Sequence, residues 1–323
     1  MTLIEAVNIY VERKKAEGLS YLRSEKNLLS LSHHVGRSSL ERVTARQVAA
    51  FLDGPNTSPF TWEKKYGLLR SFFDFWLARG EIEVLPLPVK RRTGHRAFIP
   101  YIYTHSDIKA LLKATRTSQK NLSCRIDART LRTLLIFLYG TGALVGEAIR
   151  LQIGDVDLKK GLLTIRPHRH RRPRTIPIGQ DLRKILRGYL NFRVRHGTSA
   201  GHFFTNKDGE GLTASTLNTT FLRVRRQSGV KRCDGARYQP RMHDLRHTFA
   251  VHRITAWIRH RADLNRMLPA LAAYMGQAGI GSTDRYLSLT PERFRTQLDK
   301  LSPTRGKRKW RDDAALMKFL DGL

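Results

Sequence analysis

His243-Asp244-Leu245-Arg246-His247-Thr248-Phe249-Ala250 and Ser282-Thr283-Asp284-Arg285-Tyr286-Leu287 are the two stretches on which the reading of this chain turns. Leu271-Ala272-Ala273-Tyr274-Met275-Gly276-Gln277 lies between them. A helix is predicted from Arg241 to Ile258, and it would carry His243 and Arg246 on neighbouring points of one face. A His-x-x-Arg pair alone arises readily by chance. Joined to Gly276-Gln277, and nine residues later to Tyr286, it becomes a specific block.

Working outward, the chain has 323 residues, enough for two domains with separate cores. An apolar content of 41% fits a globular protein rather than a disordered one. Lys and Arg number 59 against 27 Asp and Glu, a net charge of +32 that points to a polyanionic partner. The basic residues are spread along the chain, which favours nucleic acid over a membrane surface. No run of about 20 apolar residues or signal-peptide layout is present, so a cytoplasmic, nucleoid-associated protein is expected. Two cysteines, Cys124 and Cys233, imply no disulfide framework.

Four segments are expected. Residues 1–83 read as short helices: Leu3, Ile4, Val7, Tyr10 and Val11 recur at helical spacing, and Thr44-Ala45-Arg46-Gln47 has the form of a capping box. Trp62, Tyr66, Leu69, Phe72, Phe73 and Trp76 fall on one helical face, an aromatic stripe that reads as core before DNA-stacking surface. Residues 84–99, with Pro86, Pro88 and Lys90-Arg91-Arg92, read as an extended basic linker. Residues 100–300 look α+β. Ile108, Leu111 and Leu112 start a helix, and Leu131, Leu134, Leu135 and Leu138 continue the pattern to Gly142. Leu162–Arg166 and Thr175–Ile178 read as strands flanking a basic turn, His168-Arg169-His170-Arg171-Arg172. Residues 301–323 form a basic tail in which Leu316, Phe319 and Leu320 mark a short amphipathic helix that needs a surface to dock on.

The chemistry follows from the residue types. A phenol can attack phosphorus and release a 5′-hydroxyl, storing a phosphodiester without a high-energy cofactor. Guanidinium and imidazole suit the charge gathering on the non-bridging oxygens. His243-x-x-Arg246, Gly276-Gln277 and Thr283-Asp284-Arg285-Tyr286 together resemble the C-terminal block of the tyrosine recombinases, the phage-integrase family. Gly142-Ala143-Leu144-Val145-Gly146-Glu147 and Arg174-Thr175-Ile176-Pro177 resemble that family's first-arginine segment and β-hairpin.

The resemblance implies a mainly α fold with a small β-sheet in the C-terminal domain. A helical, SAM-like core-binding DNA clamp would precede an α+β catalytic domain. It also implies Tyr286 as nucleophile and His243 and Arg246 on the scissile phosphate. Three positions depart from the family pattern. Leu144 stands where the first arginine is expected, Arg169 where a lysine usually lies, and Gln277 where a His or Trp is usual. Gln277 can donate to phosphate. Arg169 stays protonated and is a poor general acid, so a backbone contact is an equal reading. A substitute could be Arg150 or an arginine from a partner, but Arg150, six residues beyond Leu144, falls on a different helix face and is not expected to serve.

Lys90, Arg91, Arg92, His168, His170, Arg171 and Arg172 are the expected DNA contacts. His168 and His170 have no Cys or carboxylate nearby, so no metal is expected, nor any cofactor. Two functions stay open. One is a site-specific recombinase, integrase or transposase acting through a 3′-phosphotyrosyl intermediate. The other is an impaired paralogue from a mobile element, gripping DNA beside active recombinases and joined to them, or to itself, through the tail.

Overall fold

A computed structural model describes residues 1–323 apart from 20, 56, 92–97, 121–122, 167–172, 196–200, 237, 278–285, 288 and 291–323. The chain divides into two compact units, Met1–Phe98 and Ile99–Leu323.

The first unit is helical: α1 (Leu3–Ala16), α2 (Leu22–Val35), α3 (Ala45–Leu52) and α4 (Pro59–Leu77), with a 3-10 turn at Leu40–Arg42. Thr44 and Gln47 form the expected capping box, with Gln47 Oε1 accepting from the Thr44 N–H at 2.9 Å. Ser58 caps α4, and Pro59 fits its first turn because no N–H is needed there. The aromatic stripe of α4 is core: Trp62, Tyr66, Leu69, Phe72, Phe73 and Trp76 are all buried. Tyr10 of α1 packs edge-on against Phe72 at 5.3 Å, tying the first helix to the fourth. Helix α2 was not foreseen. Its N-cap residue, Tyr21, makes no side-chain capping bond, so its start carries no local signal.

The second unit contains α5 (His105–Ser118), α6 (Ala128–Thr141), α7 (Val145–Arg150), α8 (Gln180–Arg195), α9 (Ala214–Ser228), α10 (Asp244–Arg259) and α11 (Leu264–Met275). A three-stranded antiparallel sheet, β1 (Val156–Asp157), β2 (Leu162–Ile165) and β3 (Arg174–Pro177), stands in that order. Its register pairs Leu163 with Ile176 and Ile165 with Arg174. Leu163, Ile165 and Ile176 face the core, as period-two alternation requires. The run from Ile108 to Gly142 is two helices rather than one, because Asp127 accepts from the Arg129 N–H at 2.7 Å and starts α6 afresh. Gly142 ends α6 at φ +63. Helix α10 begins at Asp244, three residues later than expected, since Arg241–His243 form the turn that enters it.

Two further apolar clusters hold this unit together. One gathers Leu131, Leu134 and Phe137 of α6 with Tyr189, Phe203, Phe204 and Phe221. The other joins Phe249, Val251 and Ile254 of α10 to Leu268, Leu271 and Met275 of α11, and includes Tyr286. The helices that carry the block residues are therefore fixed by their apolar faces.

Phe72 is fully buried among Tyr10, Phe73 and Trp76. Phe72→Ala should lower unfolding stability by about 3–5 kcal/mol, the usual cost of emptying such a site. Urea titration of the full chain followed by tryptophan fluorescence measures it, and a loss below about 1 kcal/mol would show that the stripe is not the core.

Candidate active site

The N-terminus of α10 presents the first two groups. His243 stands at its N-cap and Arg246 one turn further in. The entering turn is fixed by Asp244, whose carboxylate accepts from the Arg241 N–H at 2.9 Å and from the Arg241 guanidinium at 3.0 Å. Arg246 is buried, and that desolvation is the main influence lowering its pKa. Its Nη1 donates to the Gly142 carbonyl at 2.6 Å and its Nη2 to the Met275 carbonyl at 2.9 Å. One guanidinium thus bridges the end of α6 and the end of α11.

A second guanidinium reinforces the same junction. Arg174 of β3 makes a two-pronged bond to Glu147 of α7, Nη1 to Oε1 at 2.7 Å and Nη2 to Oε2 at 2.9 Å. Its Nε donates to the Tyr274 carbonyl at 3.0 Å. Glu147 also accepts from the Leu144 N–H at 2.8 Å, capping α7 from within the helix. Arg174 lies flat against Gly276, where a Cβ would stand 2.7 Å from Nη1. Gly276 is left-handed, φ +67, so the position is restricted to glycine both by conformation and by space.

Tyr286 is buried, at 3% exposure, with its hydroxyl 2.9 Å from the Gln277 side-chain N–H that donates to it. Tyr286 is coupled electrostatically to Arg246, an influence that works against the lowering by burial. The His247 ring lies 5.6 Å from the Tyr286 ring and 5.4 Å from that of His243. Burial, then the charges of Arg246 and Arg241, lower the His243 pKa, favouring the neutral imidazole. His247 is pushed down to about 4, first by burial and then by His243.

Four of the expected catalytic residues therefore meet: His243, Arg246, Gln277 and Tyr286. Leu144 stands at the N-cap of α7, partly exposed, contributing no donor. The Arg150 guanidinium lies over Gly146, with Nη1 3.3 Å from where a Cβ would be. Arg169, His168, His170, Arg171, Arg172 and Arg92 lie outside the described residues. Lys90 is exposed. Arg91 is exposed as well, but pairs with Asp53 at 2.7 Å and sits over the Trp62 ring at 5.3 Å. Glu147 and Arg174 were not singled out as site residues. Their only sequence signal was their place in the two segments flanking Leu144 and the hairpin. Among the described residues no His, Cys, Asp and Glu cluster could hold a metal, and no helix is long and apolar enough to cross a membrane.

Residues 102–293 match the phage integrase family model. The chain belongs to the phage integrase family. An integrase/recombinase of Sinorhizobium fredii, y4rB, is 27% identical over 320 residues, covering 96% of this chain and 99% of its own length. A lambda integrase dimer bound to a COC′ core site superposes with a TM-score of 0.66 at 16% identity, over 88% of this chain and 77% of that one. The Tn1549 transposon integrase in complex with a circular intermediate DNA gives 0.67 at 15% identity, over 92% and 99%. Both have the same fold: mostly helical, with a small antiparallel sheet.

Two outcomes follow for this integrase-family site. Glu147→Ala leaves the half-buried Arg174 guanidinium without its carboxylate and should cost about 1.5–3 kcal/mol. Adding Arg174→Met removes the stranded charge and should recover a substantial part of that loss in the same urea titration. Independent, additive effects would show that the pair does not hold the junction. The second outcome concerns pH. Because folding keeps His247 neutral, the unfolded chain binds its proton first as pH falls. Stability should be complete above pH 6.5 and decline as pH falls from there toward about 4. His247→Gln should flatten that decline, and an unchanged slope would locate it elsewhere.

Proposed function

We propose that this chain is a site-specific DNA recombinase that breaks and rejoins double-stranded DNA through Tyr286. The observation that carries the reading is the hydrogen bond from Gln277 to the Tyr286 hydroxyl, with the Arg246 charge coupled to the same tyrosine. The Tyr286 oxygen attacks phosphorus, the bond to the 5′ oxygen breaks, and the 5′-hydroxyl leaves with a proton. A 3′-phosphotyrosyl bond keeps the phosphodiester energy, and attack by a 5′-hydroxyl reverses the step. Family membership makes the rest coherent: His243 and Arg246 hold the scissile phosphate, and the surplus of +32 charges holds the flanking backbone.

Residues 1–83 act in this reading as a DNA clamp, 84–99 as a basic linker with Lys90, Arg91 and Arg92 against DNA, and 100–300 as the catalytic domain. His168, Arg169, His170, Arg171 and Arg172 reach DNA from the connection between β2 and β3. Arg169 contacts the backbone or the reacting phosphate. The tail, 301–323, docks Leu316, Phe319 and Leu320 on a second copy or a related recombinase. The protein works at the nucleoid, and the transposon integrase among its structural likenesses supports a mobile-element role in integration, excision or transposition.

Leu144 favours a second reading. A leucine neither donates to nor neutralises phosphate, and loss of one such donor typically costs about 10²–10³ in rate. The chain would then bind and assemble on DNA while active partners cut it.

Nicked DNA from the native locus traps the covalent intermediate and separates the two. The recombinase reading expects a detergent-stable adduct with wild type that disappears in Tyr286→Phe and grows in Leu144→Arg. An adduct only with Leu144→Arg, wild type still binding the site, would support the assembly reading. No adduct with either protein would remove Tyr286 as nucleophile.

A further inference from the structure

The position of Gln277 in the block implied a donor to the scissile phosphate. The geometry points elsewhere. We propose that Gln277 acts on the nucleophile: its amide holds the Tyr286 hydroxyl in place for attack and receives the phenolate when the strand is rejoined. This inference rests on Tyr286 being the nucleophile.

The backbone that delivers Gln277 has little freedom. The Gly276 N–H donates to the Ala273 carbonyl at 3.0 Å and the Gln277 N–H to the Ala272 carbonyl at 2.9 Å, closing α11 in a two-bond C-terminal motif. That motif needs the left-handed Gly276, and the Arg174 guanidinium pressed on Gly276 prevents it from shifting. Arg174 is in turn held by Glu147 and by the Tyr274 carbonyl. Gln277 is thus fixed to the same junction that Arg246 bridges.

Its target is equally held. The Tyr286 ring is buried with Leu287 in the α10–α11 cluster, and its carbonyl accepts from Thr290 Oγ1 at 3.0 Å. Across that arrangement the Gln277 Nε2–H meets the phenolic oxygen at 2.9 Å, a normal hydrogen bond. An amide does not titrate, so it donates to this oxygen at every working pH. Donation to Oη turns the phenol's own proton away from the glutamine. During cleavage the amide orients the attacking lone pair. During rejoining the P–O bond to tyrosine breaks, charge returns to Oη, and the donor is already aimed at it.

The test compares two nucleophiles on the nicked substrate. With Tyr286 as nucleophile, Gln277→Leu should slow adduct formation about 10²-fold at saturating DNA, with DNA affinity unchanged. Gln277→Glu, isosteric but an acceptor, should lose at least as much, while circular dichroism reports on folding for both. In Tyr286→Phe, hydrogen peroxide supplies the nucleophile: its anion attacks phosphorus and the 5′-hydroxyl leaves. Strand cleavage by peroxide should then be the same in Tyr286→Phe and in Tyr286→Phe/Gln277→Leu. Equal losses with both nucleophiles would assign Gln277 to the phosphate and overturn the proposal, as would wild-type adduct formation by Gln277→Leu. If peroxide cleaves but wild type forms no adduct, the phosphate site stands and the proposal fails. If neither occurs on DNA that is bound, the recombinase reading itself fails and takes this role with it.

Discussion

The Glu147–Arg174 pair is the interaction on which the second unit's site depends. It joins three separate pieces of chain: the start of α7, the strand β3 and, through Tyr274 and Gly276, the end of α11. Burying two opposite charges is costly unless the remaining lone pairs and protons are satisfied. Here much of that demand is met, because Glu147 also accepts a backbone N–H and the half-buried Arg174 also donates to a carbonyl. Arg246 then makes a parallel connection from Gly142 to Met275. Two arginines on different elements thus fasten the same pair of loops, and those loops carry Leu144 on one side and Gln277 on the other.

This arrangement sets the charge available to a phosphate. Arg174 and Glu147 offset one another's charge, and burial and neighbouring guanidinium groups disfavour the charged form of His243. Arg246 is a guanidinium whose charge is coupled to Tyr286. With Leu144 in place of an arginine, the described part of the site concentrates its positive charge at Arg246. The chain as a whole carries +32, so its electrostatics favour gripping a polyanion over many contacts more than concentrating charge on one. That contrast is the physical reason both a cleaving and an assembling role follow from one sequence.

Much of this was legible in the sequence where residue type and spacing act locally. The Thr44–Gln47 cap, the α4 stripe and the β2–β3 pairing needed only a few neighbouring residues to declare themselves. The family resemblance named His243, Arg246, Gln277 and Tyr286 together, and the first three lie at or near the ends of α10 and α11. What escaped was set by distant contacts. Helix α2 starts without a capping side chain and is held by Leu28 and Leu31 against the core. Strand β1 spans only Val156–Asp157, too short for any periodicity. Arg174 looked like one more basic residue in a basic hairpin, and only Glu147, twenty-seven residues away, gives it a structural role.

The same distinction bears on Gln277. Read from position alone, it was a poorer phosphate donor than the residue it replaces. In three dimensions its backbone is fixed by Gly276 and Arg174, and its amide ends on Oη rather than in open space. A substitution that weakens one contact can strengthen another when the scaffold holding it is rigid, because the side chain's reach is then measured from a fixed point. Glutamine places its amide three bonds beyond Cβ, and here that length spans the gap to the phenol. In the proposed role, the departure from the family pattern at this position is a change in which reacting atom is held, whereas at Leu144 it is the loss of a side-chain donor.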